Sequence, residues 1–128
     1  MRCLLDTHAL LWMIDGSERL STVAREVIAD TGNALHFSMA SYWEIGIKIS
    51  LGKLTLASDW QETIPREMTR NNVSWLSIRA PHIHEVSRLQ WHHRDPFDRL
   101  LAAQARVESL SIVSVDAQFD GYGVERVW

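Results

Sequence analysis

Two aspartates stand three residues apart in HHRDPFDRLLAAQA, His92 to Ala105, at the head of an otherwise apolar stretch. Asp95 followed by Pro96 has an ordinary local use: an N-cap carboxylate before a proline at the first helical position, where the missing N–H costs nothing. Asp98 is different. At 100° per residue it shares a stripe with Leu101, Ala102 and Ala105, while Arg99 and Arg106 fall on another face with Ala103. Its carboxylate is therefore expected to point toward the core. An acid in a first turn gains modestly from the helix dipole and the free N–H groups, but an unpaired buried charge is costly. Asp98 needs an arginine, a set of backbone donors or a metal ion.

Three more acids pose the same question. Glu44 lies on a helical stripe with Ala40, Ile47 and Leu51, and its local alternative is an i,i+4 pair with Lys48. Asp6 ends the run CLLD and could cap a helix starting near His8; Asp116 ends IVSVD and could be a turn residue. Singly, each has a local explanation. Gathered in one place, four carboxylates would repel and raise one another's pKa values unless a cation were present. Carboxylates without cysteine select a hard cation such as magnesium or manganese. Such an ion can activate water and offset charge on a phosphodiester in displacement, so the chemistry expected is metal-dependent phosphodiester hydrolysis.

The elements that would position these acids alternate in type. RCLLDT is a short apolar run, HALLWMI a helix closed at Asp15-Gly16, and STVAREVIADTG a helix ending at Gly32. ALHFS reads as a strand and SMASYWEIGIKISLG as a helix between Ser38 as N-cap and Gly52 as stop. Residues 58–71 are predicted helical, with Pro65 as a point of interruption. VSWLSI is a strand, PHIHEVSRL a helix from Pro81, residues 96–108 a helix, SIVSVD the clearest strand and GVERVW a last one. Short apolar strands alternating with helices predict a three-layer α/β/α fold with a central parallel β-sheet. In such sheets ligands sit beyond the carboxyl ends of the strands. Asp6 and Asp116 end strands, and the helices carrying Glu44 and Asp98 start at the same edge.

At 128 residues the chain is expected to be one domain, residues 1–128, large enough to bury a core without staples. No repeat or polar linker suggests a boundary. A single cysteine, Cys3, excludes an intramolecular disulfide and fits a reducing cytoplasm. No apolar run reaches membrane-spanning length and the first residues lack a signal-peptide pattern, so a cytoplasmic protein with no membrane partner is expected. A net charge of −3 argues against nucleic-acid binding through bulk positive charge, but leaves room for a local basic rim. Six tryptophans make the core or an interface aromatic without naming a ligand.

LLDTHALLW, SYWEIGIKISLGKL, HHRDPFDRLLAAQA and SIVSVDAQFDGYGV, in this order and spacing, resemble PIN-domain proteins, and among them the VapC-type toxins of bacterial and archaeal toxin–antitoxin pairs. The resemblance covers essentially the whole chain. It matches Asp6, Glu44, Asp98 and Asp116 to the family's acidic residues, and puts Ser114 where the family commonly has Thr or Ser. It implies a parallel-sheet nuclease fold and catalytic acids holding magnesium or manganese, directly or through waters. It further implies cleavage of RNA to products with a 5′ phosphate, a cognate antitoxin and a homodimer. On this resemblance Asp95 caps the helix and Asp98 binds metal, with Asp120 a possible outer ligand or a plain turn residue in DGYG. Gly46 is unusual within its helix, where alanine is the better helix former.

Other readings compete. His92 and His93 beside Arg94 could work as acid and base without metal, although adjacent residues usually point apart. His82 and His84 with His92 could suggest zinc, yet no cysteine supports it and i,i+2 spacing does not share a helix face. His8 is expected to pack at the start of the first helix. Lys48, Lys53, Arg94 and Arg99 are candidates for steering or contacting phosphate, against ordinary solvated charge. ALLWMI and VAREVIA have enough apolar surface for an antitoxin peptide or a second subunit, or simply for core packing. A phosphoacceptor signalling domain would also place acids at strand ends, but would want an acidic pair at the first strand and a late lysine; none follows Lys53. A binding-only protein on the same fold is the remaining alternative.

Overall fold

The structure, a computed structural model, describes residues 1–91 and 94–128. Its elements run β1 (Arg2–Leu5), α1 (Thr7–Asp15), α2 (Thr22–Ala29), β2 (Ala34–Ser38), α3 (Met39–Ser50), α4 (Trp60–Arg70), β3 (Val73–Leu76), α5 (Ala80–Arg88), α6 (Pro96–Glu108), β4 (Ser111–Val113), a 3₁₀ turn (Ala117–Tyr122) and β5 (Arg126–Val127). The five strands form one all-parallel sheet in the order β3-β2-β1-β4-β5. Helices cover both faces, as expected for a three-layer α/β/α domain.

Strand alternation assigns the two cores. Cys3, Leu5, Leu35, Phe37 and Val113 face one side, where α1 and α4 contribute Leu10, Ile64 and Met68. Leu4 and Ile112 face the other, against Leu101, Ala102 and Ala105 of α6 and Phe119 and Tyr122 of the 3₁₀ turn. The strands are short and apolar because both of their faces are buried.

Local signals explain most element ends. Asp6, Ser21, Ser38 and Asp95 each accept a backbone N–H in the first turn of α1, α2, α3 and α6, the role their residue types favour. Gly16 closes α1 with a φ of 62°, a conformation that costs glycine little. α2 stops at Ala29, earlier than Gly32, because Asp30 leaves the helix and its carboxylate takes the Gly32 N–H. Pro65 lies inside α4 without ending it. SIVSVD is strand only as far as Val113; Ser114 is buried and its hydroxyl accepts the Asp116 N–H, turning the chain toward the 3₁₀ segment.

Gly46 sits in the interior of α3, and a Cβ built on it meets nothing within 4 Å. Gly46→Ala is expected to stabilise the fold by about 0.5–1 kcal/mol through the unfolded-chain entropy that glycine carries. A urea titration showing no rise in midpoint would contradict this.

The strand order places the topological switch at the centre of the sheet. From β1 the chain moves outward to β2 and β3, then returns to the other side of β1 for β4 and β5. The crevice beyond the carboxyl ends of β1 and β4 is where such sheets receive ligands. Asp6 follows β1 there, its N–H donating to the Val113 carbonyl at the end of β4 at 3.1 Å.

Candidate active site

A cavity of about 370 Å³ opens at this crevice, lined by Asp6, Thr7, His8, Glu44, Lys48, Asp95, Asp98, Val115 and Asp116. The four acids singled out from sequence thus reach one place from four elements: the end of β1, the middle of α3, the first turn of α6 and the turn after β4. The smaller hollows beside α2 lack this concentration of ionisable groups.

Asp6 is buried, and its Oδ1 accepts the Ala9 N–H at 2.7 Å as the α1 cap. Burial pushes its pKa up. The Ser114 hydroxyl, the Ala9 N–H and the nearby His8 oppose that rise, while the charge of Glu44 adds to it. Ser114, wholly buried, therefore joins Asp6 to the Asp116 backbone. Asp116 in turn uses Oδ1 to accept the Gln118 N–H at 2.9 Å.

Glu44 is 5% exposed. Its Oε1 accepts the Thr7 hydroxyl at 2.6 Å and its Oε2 accepts Lys48 Nζ at 2.7 Å. Its buried neighbours on α3 are Ala40, Ser41 and Ile45, whereas Ile47 is only half-buried and Leu51, past the helix end, is exposed. The expected stripe through Ile47 and Leu51 was therefore one position off. α3 packs against α6, α1 and β2, which together cover the face of Ala40, Ser41, Glu44 and Ile45.

Asp95 caps α6 as expected, its Oδ1 accepting the N–H groups of Phe97 at 2.8 Å and Asp98 at 3.1 Å. It also lines the cavity, a fifth carboxylate that its capping role concealed in the sequence. Asp98 is half-buried at the same rim, with Leu101, Ala102 and Ala105 buried below it. Thr7 gave no signal in the sequence beyond following Asp6; its role is visible only through the bond to Glu44.

Other candidates lie elsewhere. Asp120 is held by Arg126, with Oδ1 accepting Nε at 2.9 Å, and is not among the cavity residues. Arg99, considered as a phosphate contact or a solvated charge, is neither. It is buried, donating to the carbonyls of Gln90, Val86 and Leu89, because α6 is enclosed around most of its circumference. His82 is fully buried, accepting the Arg79 N–H on Nδ1 and bonding Glu108 through Nε2, which leaves neither nitrogen for zinc; His84 is exposed. His8 is exposed, stacks on Trp12 and reaches the cavity wall. Lys53 and Arg94 are exposed. His92 and His93 lie outside the described residues.

The donor set suits a hard divalent cation: all carboxylates, no sulfur, with one acid desolvated beside another. Among the described residues, however, no three His, Cys, Asp or Glu side chains converge closely enough to form a ready-made coordination shell. The hydrogen bonds account for this. Asp6, Asp95 and Asp116 each give an oxygen to a backbone cap, and Glu44 gives both to Thr7 and Lys48. Asp95 and Asp116 commit only Oδ1 to these caps, and a carboxylate oxygen has more than one lone pair, so a capping bond does not by itself preclude ligation.

A family model described as PIN domain matches residues 3–125. No curated protein matches the chain. Several solved structures share the fold. VapBC2 of Rickettsia felis, bound to a DNA fragment from its promoter, aligns with a TM-score of 0.71 at 16% identity, covering 100% of both chains. VapBC-1 of nontypeable Haemophilus influenzae gives 0.67 at 16% identity over 98% of this chain and 96% of that one. FitAcB of Neisseria gonorrhoeae gives 0.62 at 14% identity over 97% and 95%.

Proposed function

We propose, since this chain belongs to the PIN-domain family, that it is a magnesium- or manganese-dependent endoribonuclease acting as the VapC-type toxin of a toxin–antitoxin pair. The observation that carries the reading is the meeting of Asp6, Glu44, Asp98 and Asp116 in one cavity at the switch point of the sheet. These four would hold the metal, directly or through waters. A bound divalent ion would supply an activated water and offset charge on the leaving oxygen.

The chain's own residues then have definite tasks. Ser114 orients Asp6 relative to the turn carrying Asp116. Thr7 fixes one oxygen of Glu44, and Lys48 the other. Asp95 sets the first turn of α6, and with it the position of Asp98, by accepting two of that turn's N–H groups. Attack by water on phosphorus with departure of the 3′ oxygen would leave a 5′ phosphate.

The likeness to VapBC and FitAB structures supports a cognate antitoxin as partner; a homodimer is proposed from the family resemblance alone. A groove of about 330 Å³ between α1 and α2, lined by Trp12, Met13, Leu20 and Ile28 with Arg25 at its side, offers apolar surface for such a partner. It falls on the two segments whose sequences carried surplus apolar residues. Among the described residues no helix is long and apolar enough to cross a membrane.

The test is to incubate the purified chain, freed of any antitoxin, with a mixed cellular RNA pool under magnesium, manganese or chelator. Cleavage that requires metal, leaves 5′ phosphates and disappears in Asp98→Asn is the expected result. Cleavage indifferent to chelator and leaving cyclic phosphate would overturn the reading and favour the histidines. Intact RNA under every condition would favour a binding-only protein.

A further inference from the structure

We propose that Lys48 is the residue through which this site grips a phosphate of the nucleic-acid backbone, held above the acids by Glu44 and Thr7. The proposal rests on the nuclease reading above. A substrate phosphodiester is an anion entering a cavity lined by carboxylates, and a cation on its wall offsets that repulsion. Among the described cavity residues Lys48 is the sole lysine or arginine. Arg99, Arg126 and Arg106 are engaged elsewhere, on the carbonyls after α5, on Asp120, and on Glu85 and the Tyr122 carbonyl, and Arg94, exposed just before α6, is not among the cavity residues.

The placement of Lys48 is built rather than incidental. It stands one helical turn after Glu44 on α3, and its ammonium lies 2.7 Å from Oε2 of a carboxylate that is itself buried. Glu44 cannot swing away, because Thr7 holds its other oxygen at 2.6 Å. The lysine side chain keeps 38% exposure, so the charge is fixed at its base yet open to the cavity. An ammonium has three donors and Glu44 takes one. Asp95 and Asp98 also act on the charge of Lys48, which places it within the field of the α6 acids. Thr7, Glu44 and Lys48 thus form a chain that ends in a cation facing the place where the scissile phosphate would sit.

The experiment compares Lys48→Met and Lys48→Arg with the parent. In the Asp98→Asn background with magnesium, retention of a mixed RNA pool on a filter is measured against salt concentration. Loss of one phosphate contact on a single strand reduces the log–log salt slope by about 0.7. That reduction is expected for Lys48→Met, with the slope kept by Lys48→Arg. Cleavage by Lys48→Met, with Asp98 intact, should slow by about 10–100-fold, less than an enclosed oxyanion donor costs because the side chain is partly open. Manganese binding without RNA, followed by calorimetry, should be unchanged or tighter once the ammonium is gone.

An unchanged salt slope in Lys48→Met overturns the proposal, as does failure of the Asp98→Asn protein to retain any RNA. Manganese binding lost in step with cleavage also overturns it, since Lys48 would then only position Glu44. If the parent cleaves nothing with metal while Lys48→Met still loses the slope, the hydrolase reading fails and the phosphate contact stands.

Discussion

Asp6→Asn should make the metal-free protein more stable and at the same time inactive. Asp6 is buried and its pKa is raised, chiefly by desolvation, with Glu44 adding repulsion. A carboxyl whose folded pKa exceeds its unfolded value binds its proton more readily in the folded state. Its contribution to stability is fully present below the unfolded pKa and is lost as pH rises through the folded one. At neutral pH the ionised group is therefore a net cost. Asparagine removes the charge while its Oδ1 can still accept the Ala9 N–H that caps α1. In chelator at pH 7 the variant should gain about 0.5–2 kcal/mol, the usual return on relieving a strained functional group. The gain should vanish near pH 3, where the parent is protonated as well. Manganese should reverse the order, raising the melting temperature of the parent and not of the variant, because only a folded state that binds the ion is stabilised by it. Cleavage of RNA should fall by at least about 100-fold, more than the loss of an outer-shell partner of a ligand usually costs. Equal melting curves for the two proteins at pH 7 in chelator would show that Asp6 is not a charge the fold tolerates for function.

That cost explains why these acids stand out in the sequence as a candidate site. Asp6, Glu44, Asp98 and Asp116 break the apolar pattern of the elements that carry them, and strand ends and first helical turns in a parallel α/β fold share one edge. The structure brings these four to one cavity. Sequence reasoning treats cap and ligand as alternatives, yet the structure puts capping acids on the cavity wall. A carboxylate has two oxygens, and Asp6 and Asp116 commit Oδ1 to a backbone N–H while still lining the cavity. The same reasoning hid Asp95, whose capping role seemed sufficient.

Less legible were residues whose partners are distant in the chain. His82 meets Glu108, 26 residues on, and Gln104 joins the Ser38 hydroxyl across 66. No local spacing announces either contact. Helical periodicity also presupposes one solvated face. In α6 every residue from Arg99 to Ala105 is buried, since α3, α5, the sheet and the 3₁₀ turn surround it, and so the wheel placed Arg99 outside.

Arg99→Met should accordingly be among the most damaging substitutions outside the acids. Arg99 is 4% exposed. It donates through Nη1 to Gln90 O at 2.8 Å and through Nη2 to Val86 O at 3.2 Å and Leu89 O at 3.4 Å, and it lies 3.9 Å from the centre of the Trp91 ring. Those carbonyls belong to the last turn of α5 and the residues just after it, beyond the reach of the helical ladder; Val86 O also accepts the Leu89 N–H at 3.2 Å, so the guanidinium is its second donor. A cation there satisfies them and opposes the negative end of the helix dipole. Methionine fills comparable volume but supplies no donor, so the Gln90 and Leu89 carbonyls lose the guanidinium and Val86 O keeps only the Leu89 N–H. Hydrogen bonds to charged groups contribute about 1.5–3 kcal/mol each and do not add, so a loss of about 2–4 kcal/mol is expected. Lysine keeps the charge but cannot span three acceptors with one point donor group of different geometry, and should recover only part. The effect on RNA cleavage should exceed what the fraction unfolded accounts for. Arg99 follows Asp98 directly and ties the segment before Asp95 to α6, so releasing that segment loosens the cap that sets the first turn carrying Asp98. Urea titrations and cleavage assays on the same preparations separate the two effects. A midpoint unchanged in Arg99→Met would mean that water replaces the guanidinium at little cost. A stability loss with full cleavage by the folded fraction would mean that Asp95 and Asp98 hold their places without the clamp.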